Sequence, residues 1–364
     1  MNMLSLLRSA VLTTLMTASA GASGQALSDL KPSLEPLVLQ SQGSFFVGGR
    51  TVETKTAGWS GMKDLFGESF EAGKVLVDQM YVQFQTPPEP SHTPIVFVHG
   101  GLLSSKAWET TPDGRMGWYE YFTRQGFPTY LADQSGRARS GFNGTVFNQV
   151  RNGSLPPSRQ PPVFLGTSNM AWKLFRFGPE LGQTWPGLQF PTDHVDEVYK
   201  QIIPDMFETQ VPSLLDELTS PETNNASVEN VASLAQELGG AILVGHSQSA
   251  GFPTQAVLKK KGGIRGIIQL ETGCFANLTE DQVKILATVP ILVMVGDYLG
   301  EHPEAPCVKE MEQIKAAGGD MTFISLPAIG VKGNSHMFMQ DKNNLKIADI
   351  LVTWVSEHVE TKAR

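Results

Sequence analysis

The amino-acid sequence predicts an α/β fold, with a doubly wound and mainly parallel sheet, from three observations. Strand-like and helix-like segments alternate over most of the 364 residues, which is the pattern of a sheet covered by helices. Residues 94–98 and 242–244 are apolar runs, as expected of strands buried on both faces of a parallel sheet. The second run leads into Gly-His-Ser-Gln-Ser at 245–249, a pattern typical of a sharp strand-to-helix turn.

The individual elements follow in an order that fits this fold. Residues 44–49 and 75–85 predict two strands that could pair antiparallel, because the second alternates apolar and polar side chains. Aromatic residues at helical spacing predict a helix over 118–125, which Gly126 ends. The other predicted elements are strands at 94–101, 129–133, 242–244, 264–271, 290–296 and 321–326, and helices at 195–206, 228–238, 248–261, 307–317 and 344–360.

Residues 141–227 interrupt the alternation of strands and helices. This stretch is rich in Pro, Gly and aromatic residues and predicts an insertion, a lid or cap over the carboxyl edge of the sheet. Its aromatic side chains could form the insertion's own core or line a substrate site. The predicted division is a signal peptide at 1–24, a catalytic core formed by 25–140 and 228–364, and a cap at 141–227.

The first residues and the overall charge limit the classes of partner that the protein could have. Arg8 is the only charged residue in the first 25, residues 10–16 are mostly apolar, and small residues near 18–24 offer a cleavage site, so a secretory signal peptide is predicted. The alternative, an uncleaved anchor, would need an apolar stretch of about 20 residues. A net charge of −8 argues against a nucleic-acid partner. The oligomeric state is left open.

Export through an oxidising compartment makes Cys274 and Cys307, the two cysteines of the chain, candidates for a disulfide. Two buried free thiols are the alternative. Glycosylation sequons, which would carry glycans in a eukaryotic host, lie at Asn143, Asn152, Asn225 and Asn277.

The small-residue turn predicts a nucleophilic serine, Ser247, exposed at the carboxyl end of a strand. A serine hydroxyl needs a neutral imidazole to take its proton, and His336, after the last predicted strand, is the best placed of the seven histidines. His302 is the other candidate base. His246 is expected to point away from the hydroxyl, and His99 to brace a neighbouring loop.

A serine mechanism also needs a carboxylate and donors for the oxyanion. Glu271 and Asp297 each close a predicted strand, and spacing alone favours Asp297 only slightly. The natural oxyanion donors are the backbone N–H of Gln248 and one from Gly101 or Leu102, in the His-Gly-Gly loop.

The ordered motifs resemble the α/β-hydrolase superfamily. They are His-Gly-Gly at 99–101, Asp-x-x-Gly-x-x-x-Ser at 133–140, Gly-His-Ser-Gln-Ser at 245–249 and Gly-Asn-Ser-His at 333–336. Together with Leu-Glu-Thr-Gly at 270–273 they resemble a group of secreted bacterial and fungal esterases in which the acid is a glutamate. The resemblance therefore implies Glu271 as the acid, with Asp297 as the alternative. Ser249 replaces the glycine of the usual elbow.

The predicted function is a secreted serine hydrolase that cleaves carboxylic esters through an acyl-enzyme, with Ser247, His336 and Glu271 as the triad and Gly101 and Gln248 as oxyanion donors. No cofactor or metal is implied, because neither metal-ligand spacing nor a phosphate-binding glycine motif is present. Two alternatives stay open. One is lactone opening or cyclisation of a small molecule by the same residues, and the other is a binding protein without activity.

Overall fold

The sheet of this protein has eight strands in the order β1-β2-β4-β3-β5-β6-β7-β8. The computed structural model describes residues 25–33, 35–55, 62–67, 72–206, 220–275, 277–300 and 305–361. The predicted signal peptide at 1–24 and the candidate base His302 lie outside these residues. The strands are β1 (Ser41–Thr54), β2 (Gly73–Thr86), β3 (Ile95–Val98), β4 (Thr129–Asp133), β5 (Ala241–His246), β6 (Ile264–Leu270), β7 (Ile291–Val295) and β8 (Met321–Ser325).

The prediction of a doubly wound, mainly parallel sheet is confirmed. β1 and β2 form the antiparallel end of the sheet, and β2 also pairs antiparallel with β4. From β4 through β8 all pairings are parallel. β4 and β5 flank β3 on opposite sides, so the loops after β3 and β5 open next to each other at one edge. Open α/β sheets bind ligands at such a reversal of strand order.

Helices cover both faces of the sheet. They are α1 (Met62–Phe66), α2 (Trp118–Arg124), α3 (Thr145–Arg151), α4 (Ser168–Leu174), α5 (Val195–Gln201), α6 (Ala226–Glu237), α7 (Phe252–Leu258), α8 (Glu280–Leu286), α9 (Ala305–Ala316) and α10 (Asn344–Val355). Among the described residues, no helix combines the length and the apolar character needed to cross a bilayer.

The apolar runs of the central strands are buried on both faces, as their sequence predicts. In β3, Ile95 and Phe97 face a core that includes α2 and α10, whereas Val96 and Val98 face a second core with α6 and α7. All four side chains are fully buried. This two-sided burial keeps the central strands rigid beneath the loops that follow them.

The predicted and observed helices differ in three respects. The helix predicted over 195–206 ends at Gln201, because Ile203 precedes a proline and helical backbone is disfavoured there. The helix predicted over 248–261 is shorter, since a 3-10 turn occupies its first residues. The helices α1, α3, α4 and α8 were not predicted, although Thr279 and Gln282 form a capping box at the start of α8.

The candidate glycosylation sites differ in exposure. Asn152 and Asn277 are exposed and Asn143 is partly exposed. Asn225 is 1% exposed, and its side chain accepts the N–H of Ser227 to cap α6. A glycan on the amide nitrogen would need space that this buried side chain does not have, so the structure argues against Asn225 as an acceptor.

Candidate active site

Ser247 lies in a tight turn directly after β5. Its φ angle is 57°, a left-handed value that costs energy for any residue with a side chain. Gly245 permits the turn, because a Cβ at that position would lie 2.1 Å from the carbonyl oxygen of Ser249. The strained turn holds the Ser247 side chain at the carboxyl edge of the sheet.

Ser249, where the usual elbow has glycine, is fully buried and satisfied by local hydrogen bonds. Its hydroxyl accepts the N–H of His246 at 3.0 Å and lies 3.0 Å from the carbonyl oxygen of Val98. The hydroxyl therefore ties the elbow to β3, the strand before the His-Gly-Gly loop. A serine fits this position because every polar atom it adds finds a partner.

The three side chains predicted as a catalytic triad lie in contact. Nε2 of His336 is 2.8 Å from Oγ of Ser247, and Nδ1 of His336 is 2.9 Å from Oε2 of Glu271. Because Nδ1 must carry a proton to donate to the carboxylate, Nε2 is free to accept one from the hydroxyl. This arrangement has the geometry of a nucleophile, a general base and an orienting acid.

The alternative acid, Asp297, takes a different position. Its Oδ2 accepts the backbone N–H of Asn334 at 2.9 Å, so its carboxylate binds the loop that carries His336 rather than the imidazole. Glu271, at the end of β6, also accepts the N–H of Gly296 through Oε1 at 2.7 Å. Both oxygens of Glu271 are therefore fixed, one on the base and one on the neighbouring strand end.

Burial and charge set the protonation of this cluster. Burial raises the pKa of Glu271, but the positive charge of Arg176 and the hydrogen bond from His336 outweigh it and lower the pKa to about 2. Burial lowers the pKa of His336, and the Glu271 carboxylate only partly offsets that effect. At neutral pH the site thus holds an ionised carboxylate beside a neutral imidazole, and a neutral imidazole can accept a proton from a serine.

The loop after β3 lies against the nucleophile. Gly100 allows this approach, since a Cβ there would lie 3.0 Å from Cβ of Ser247. The N–H of Leu102 donates to Oδ2 of Asp205 at 3.1 Å, so of the two donors considered from sequence Leu102 is already bonded and Gly101 is the remaining candidate. The side chain of Gln248 accepts a 2.9 Å hydrogen bond from Nε2 of Gln134.

His99 and His246 brace the site and do not contact Ser247 Oγ. Nε2 of His99 accepts the N–H of Gln134 at 3.0 Å, so its Nδ1–H donates to the carbonyl oxygen of Gly100. His246 donates through Nε2 to the carbonyl oxygen of His336 at 2.8 Å. Burial lowers the pKa of His99 to about 4 and that of His246 to about 3, which keeps both rings neutral.

Several contacts to the site come from residues 141–227 and were not predicted. Phe175 stacks its ring parallel to that of His336 at 6.0 Å, and its carbonyl oxygen accepts the His336 N–H at 3.0 Å. Arg176 reaches Glu271, and Asp205 reaches the loop after β3. The contacts that mark these residues are made with distant parts of the chain, so no local sequence pattern identifies them.

Cys274 and Cys307 form a disulfide, as predicted, with sulfur atoms 2.03 Å apart. The bond joins the loop after β6 to α9. Across the part of the chain that the structure describes, no group of three His, Cys, Asp or Glu side chains is arranged to hold a metal ion.

The chain is similar to two proteins over most of its length. A solved structure described as a novel bacterial esterase is 40% identical, has a TM-score of 0.81, and is matched over 90% of this chain and 99% of its own. A protein of Fungal sp. (strain ATCC 74256) described as "Probable secreted lipase phiG" is 26% identical in an alignment 341 residues long, which covers 79% of this chain and 88% of that protein. No family model matches the chain.

Proposed function

The chain belongs to the esterases of the α/β-hydrolase fold, and from this premise we propose that it cleaves carboxylic esters through an acyl-enzyme formed on Ser247. The family assignment follows from the 40% identity to a bacterial esterase that this chain covers almost completely. The observation that carries the proposed mechanism is the unbroken series of contacts from Ser247 through His336 to Glu271, at 2.8 and 2.9 Å.

In the first half-reaction, Oγ of Ser247 attacks the ester carbonyl carbon while Nε2 of His336 takes the hydroxyl proton. The negative charge moves to the former carbonyl oxygen, where the N–H groups of Gly101 and Gln248 stabilise it. Glu271 stabilises the imidazolium and keeps its ring in position. The intermediate collapses, the C–O bond to the alcohol breaks, and His336 donates its proton to the departing alkoxide.

The second half-reaction repeats these steps with water. His336 takes a proton from water, the hydroxide attacks the acyl carbon, and the same N–H groups stabilise the second tetrahedral intermediate. Collapse breaks the bond to Oγ of Ser247, which recovers the proton from His336. The carboxylic acid then leaves, and no residue of the enzyme is changed.

Two measurements test this mechanism. Ser247→Ala should lower kcat on short p-nitrophenyl esters by about 10⁴-fold or more, because the other groups cannot replace the nucleophile. A fluorophosphonate probe should label wild type on Ser247 and fail to label the variant. Turnover by Ser247→Ala on an ester or a lactone would refute the acyl-enzyme and favour chemistry in which Ser247 takes no covalent part.

Secretion and the domain division belong to the same proposal. The described relation to a fungal protein whose name includes "secreted" supports export, and so does the leader-like pattern of residues 1–24. N-terminal sequencing of the mature protein from culture medium or periplasm tests it, with an unprocessed start at Met1 as the contrary result. Residues 141–227 are proposed as a cap, because the side chains of Phe175 and Asp205 reach His336 and the loop after β3.

A further inference from the structure

Arg176, in the insertion, is a charged group that contacts two members of the proposed triad. Its Nη2 is 2.5 Å from Oε2 of Glu271, the oxygen that also binds His336. Its Nη1 lies 3.2 Å from Nδ1 of His336, and its Nε donates to the carbonyl oxygen of Asp297 at 2.8 Å. The side chain is only 12% exposed, so these contacts are little screened by water.

The backbone around Arg176 shows why the side chain is well placed. Arg176 follows α4 with a φ of 57°, and the N–H groups of Arg176 and Phe177 donate back to the last turn of the helix. Glycine is the residue usually favoured at this left-handed position after a helix. An arginine there carries a conformational cost, and the contacts to Glu271 and Asp297 offset it.

The contact between Arg176 and His336 is electrostatic. Nδ1 of His336 already carries the proton that it donates to Glu271, so it cannot also accept an N–H from Arg176. The guanidinium therefore disfavours protonation of the imidazole, because the ring would then carry a positive charge next to its own. It also partly neutralises the Glu271 carboxylate, which favours that protonation. Both effects act in the same direction, towards a neutral base.

We propose that Arg176 is a positioning residue of the triad, through which the insertion fixes Glu271 and keeps His336 unprotonated in mildly acidic solution. This role rests on the proposed function, since it assumes that His336 is the general base. The charged and titratable groups that face His336 or its loop from the surrounding elements are Glu271, Arg176, His246, Asp297, Asp341 and Arg115. Arg115 binds carbonyl oxygens of the loop beyond His336, whereas Arg176 is the permanent cation that contacts the imidazole and Glu271.

The test is the pH profile of kcat/KM on a short p-nitrophenyl ester for wild type, Arg176→Gln and Arg176→Lys. The acidic limb of the profile is the pH range in which kcat/KM falls as the pH decreases. Removing the cation in Arg176→Gln should move this limb to higher pH by about one unit or more. Arg176→Lys keeps a positive charge, so its limb should lie between the other two. A purely structural role would lower kcat at every pH and leave the limb unmoved, which would overturn the proposal.

Arg124→Gln is a matched control. Arg124 is also partly buried, pairs with Glu120 at 2.6 Å and donates to the carbonyl oxygens of Glu35 and Pro36, but it contacts no residue of the site. Its acidic limb should coincide with that of wild type. A shift equal to that of Arg176→Gln would mean that loss of any such arginine moves the profile, which would also overturn the proposal.

A double variant keeps the test decisive if Arg176→Gln does not fold, as judged by a circular dichroism melt. Glu271→Gln with Arg176→Gln leaves no buried charge unpaired, and its acidic limb should lie above that of Glu271→Gln alone. Coincident limbs would count against Arg176. Ser247→Ala separates the two proposals. Turnover by that variant refutes the mechanism. If Ser247→Ala is inactive but the Arg176 variants have the same acidic limb as wild type, only the role of Arg176 is refuted.

Discussion

The parallel core and the insertion contribute different things to one site. The core places Ser247, Glu271 and His336 after β5, β6 and β8, where the proposed bond-making and proton-transfer groups converge. The insertion supplies Phe175 and Arg176, which hold those groups from the outside. The proposed reacting atoms thus come from rigid strand ends, and their orientation depends on a segment that crosses over them.

This division has an energetic reason. Central strands buried on both faces have no freedom to adjust, so the loops at their ends occupy fixed positions. A segment added above them can be varied without disturbing the sheet, and loops on a rigid scaffold commonly carry such functional variation. Asp205 and Arg176 show how that segment still acts on the site, through one carboxylate and one guanidinium that are almost completely buried.

The largest of the effects considered next compares two carboxylates of the core, Glu271 and Asp297. Glu271→Gln should lower kcat by about 10³–10⁴-fold, because the amide neither stabilises the imidazolium nor fixes the reactive tautomer. Asp297→Asn is the matched control at the next strand end, and its effect should be far smaller, since an amide oxygen can still accept the N–H of Asn334. Steady-state kinetics on one ester decide the question, and the reverse order of the two variants would make Asp297 the acid.

Sequence alone predicted the core well and the insertion poorly. β4 lies at the residues expected from sequence, since four of its five residues are buried and a polar, glycine-containing turn follows it. The identity of the acid was left open by spacing, because Glu271 and Asp297 both close a strand and only tertiary contacts distinguish them. Asp205 and Arg176 carry no local signal, since each is defined by a partner at least 68 residues away in the sequence.

The next largest effect tests the contact between Asp205 of the insertion and the loop after β3. Asp205 accepts the N–H of Leu102 and pairs with Arg137 at 2.6 Å, with both side chains at most 1% exposed. Asp205→Ala should lower kcat by about 10–100-fold with little change in KM, because the oxyanion donors lose their fixed orientation. Asp193→Ala, a change of an exposed carboxylate in the same insertion, is the control.

Two results would contradict this role of Asp205. One is a rise in KM with kcat unchanged, which would place the loop in substrate binding rather than in stabilising the oxyanion. The other is an equal loss of activity in the Asp193→Ala control. Removing one partner of a buried ion pair is destabilising. Thermal melts of both variants therefore show whether the lower activity of Asp205→Ala follows from unfolding.

A smaller effect lies in the pH profile of wild type. Burial lowers the pKa of His336 below its ordinary value of 6.5. Protonated His336 cannot take the proton of Ser247, so activity should fall as the pH drops through this lowered value, and the acidic limb of kcat/KM should lie below pH 6.5. A limb above pH 6.5 would mean that the Glu271 carboxylate outweighs burial and the charge of Arg176.

The smallest effect on activity is expected at the disulfide, although it stands only three residues beyond Glu271. Changing Cys274 and Cys307 together to Ala should lower the free energy of unfolding by roughly 3–4 kcal/mol, from the 33-residue separation of the two cysteines. At 25 °C kcat should stay within about twofold of wild type, because His336, Arg176 and the N–H of Gly296 hold Glu271 independently of the bond. Denaturant unfolding and kinetics on the same sample measure both quantities. A loss of kcat approaching that of Glu271→Gln would show instead that the covalent tie to α9 positions the acid, and that the insertion is the weaker of its two supports.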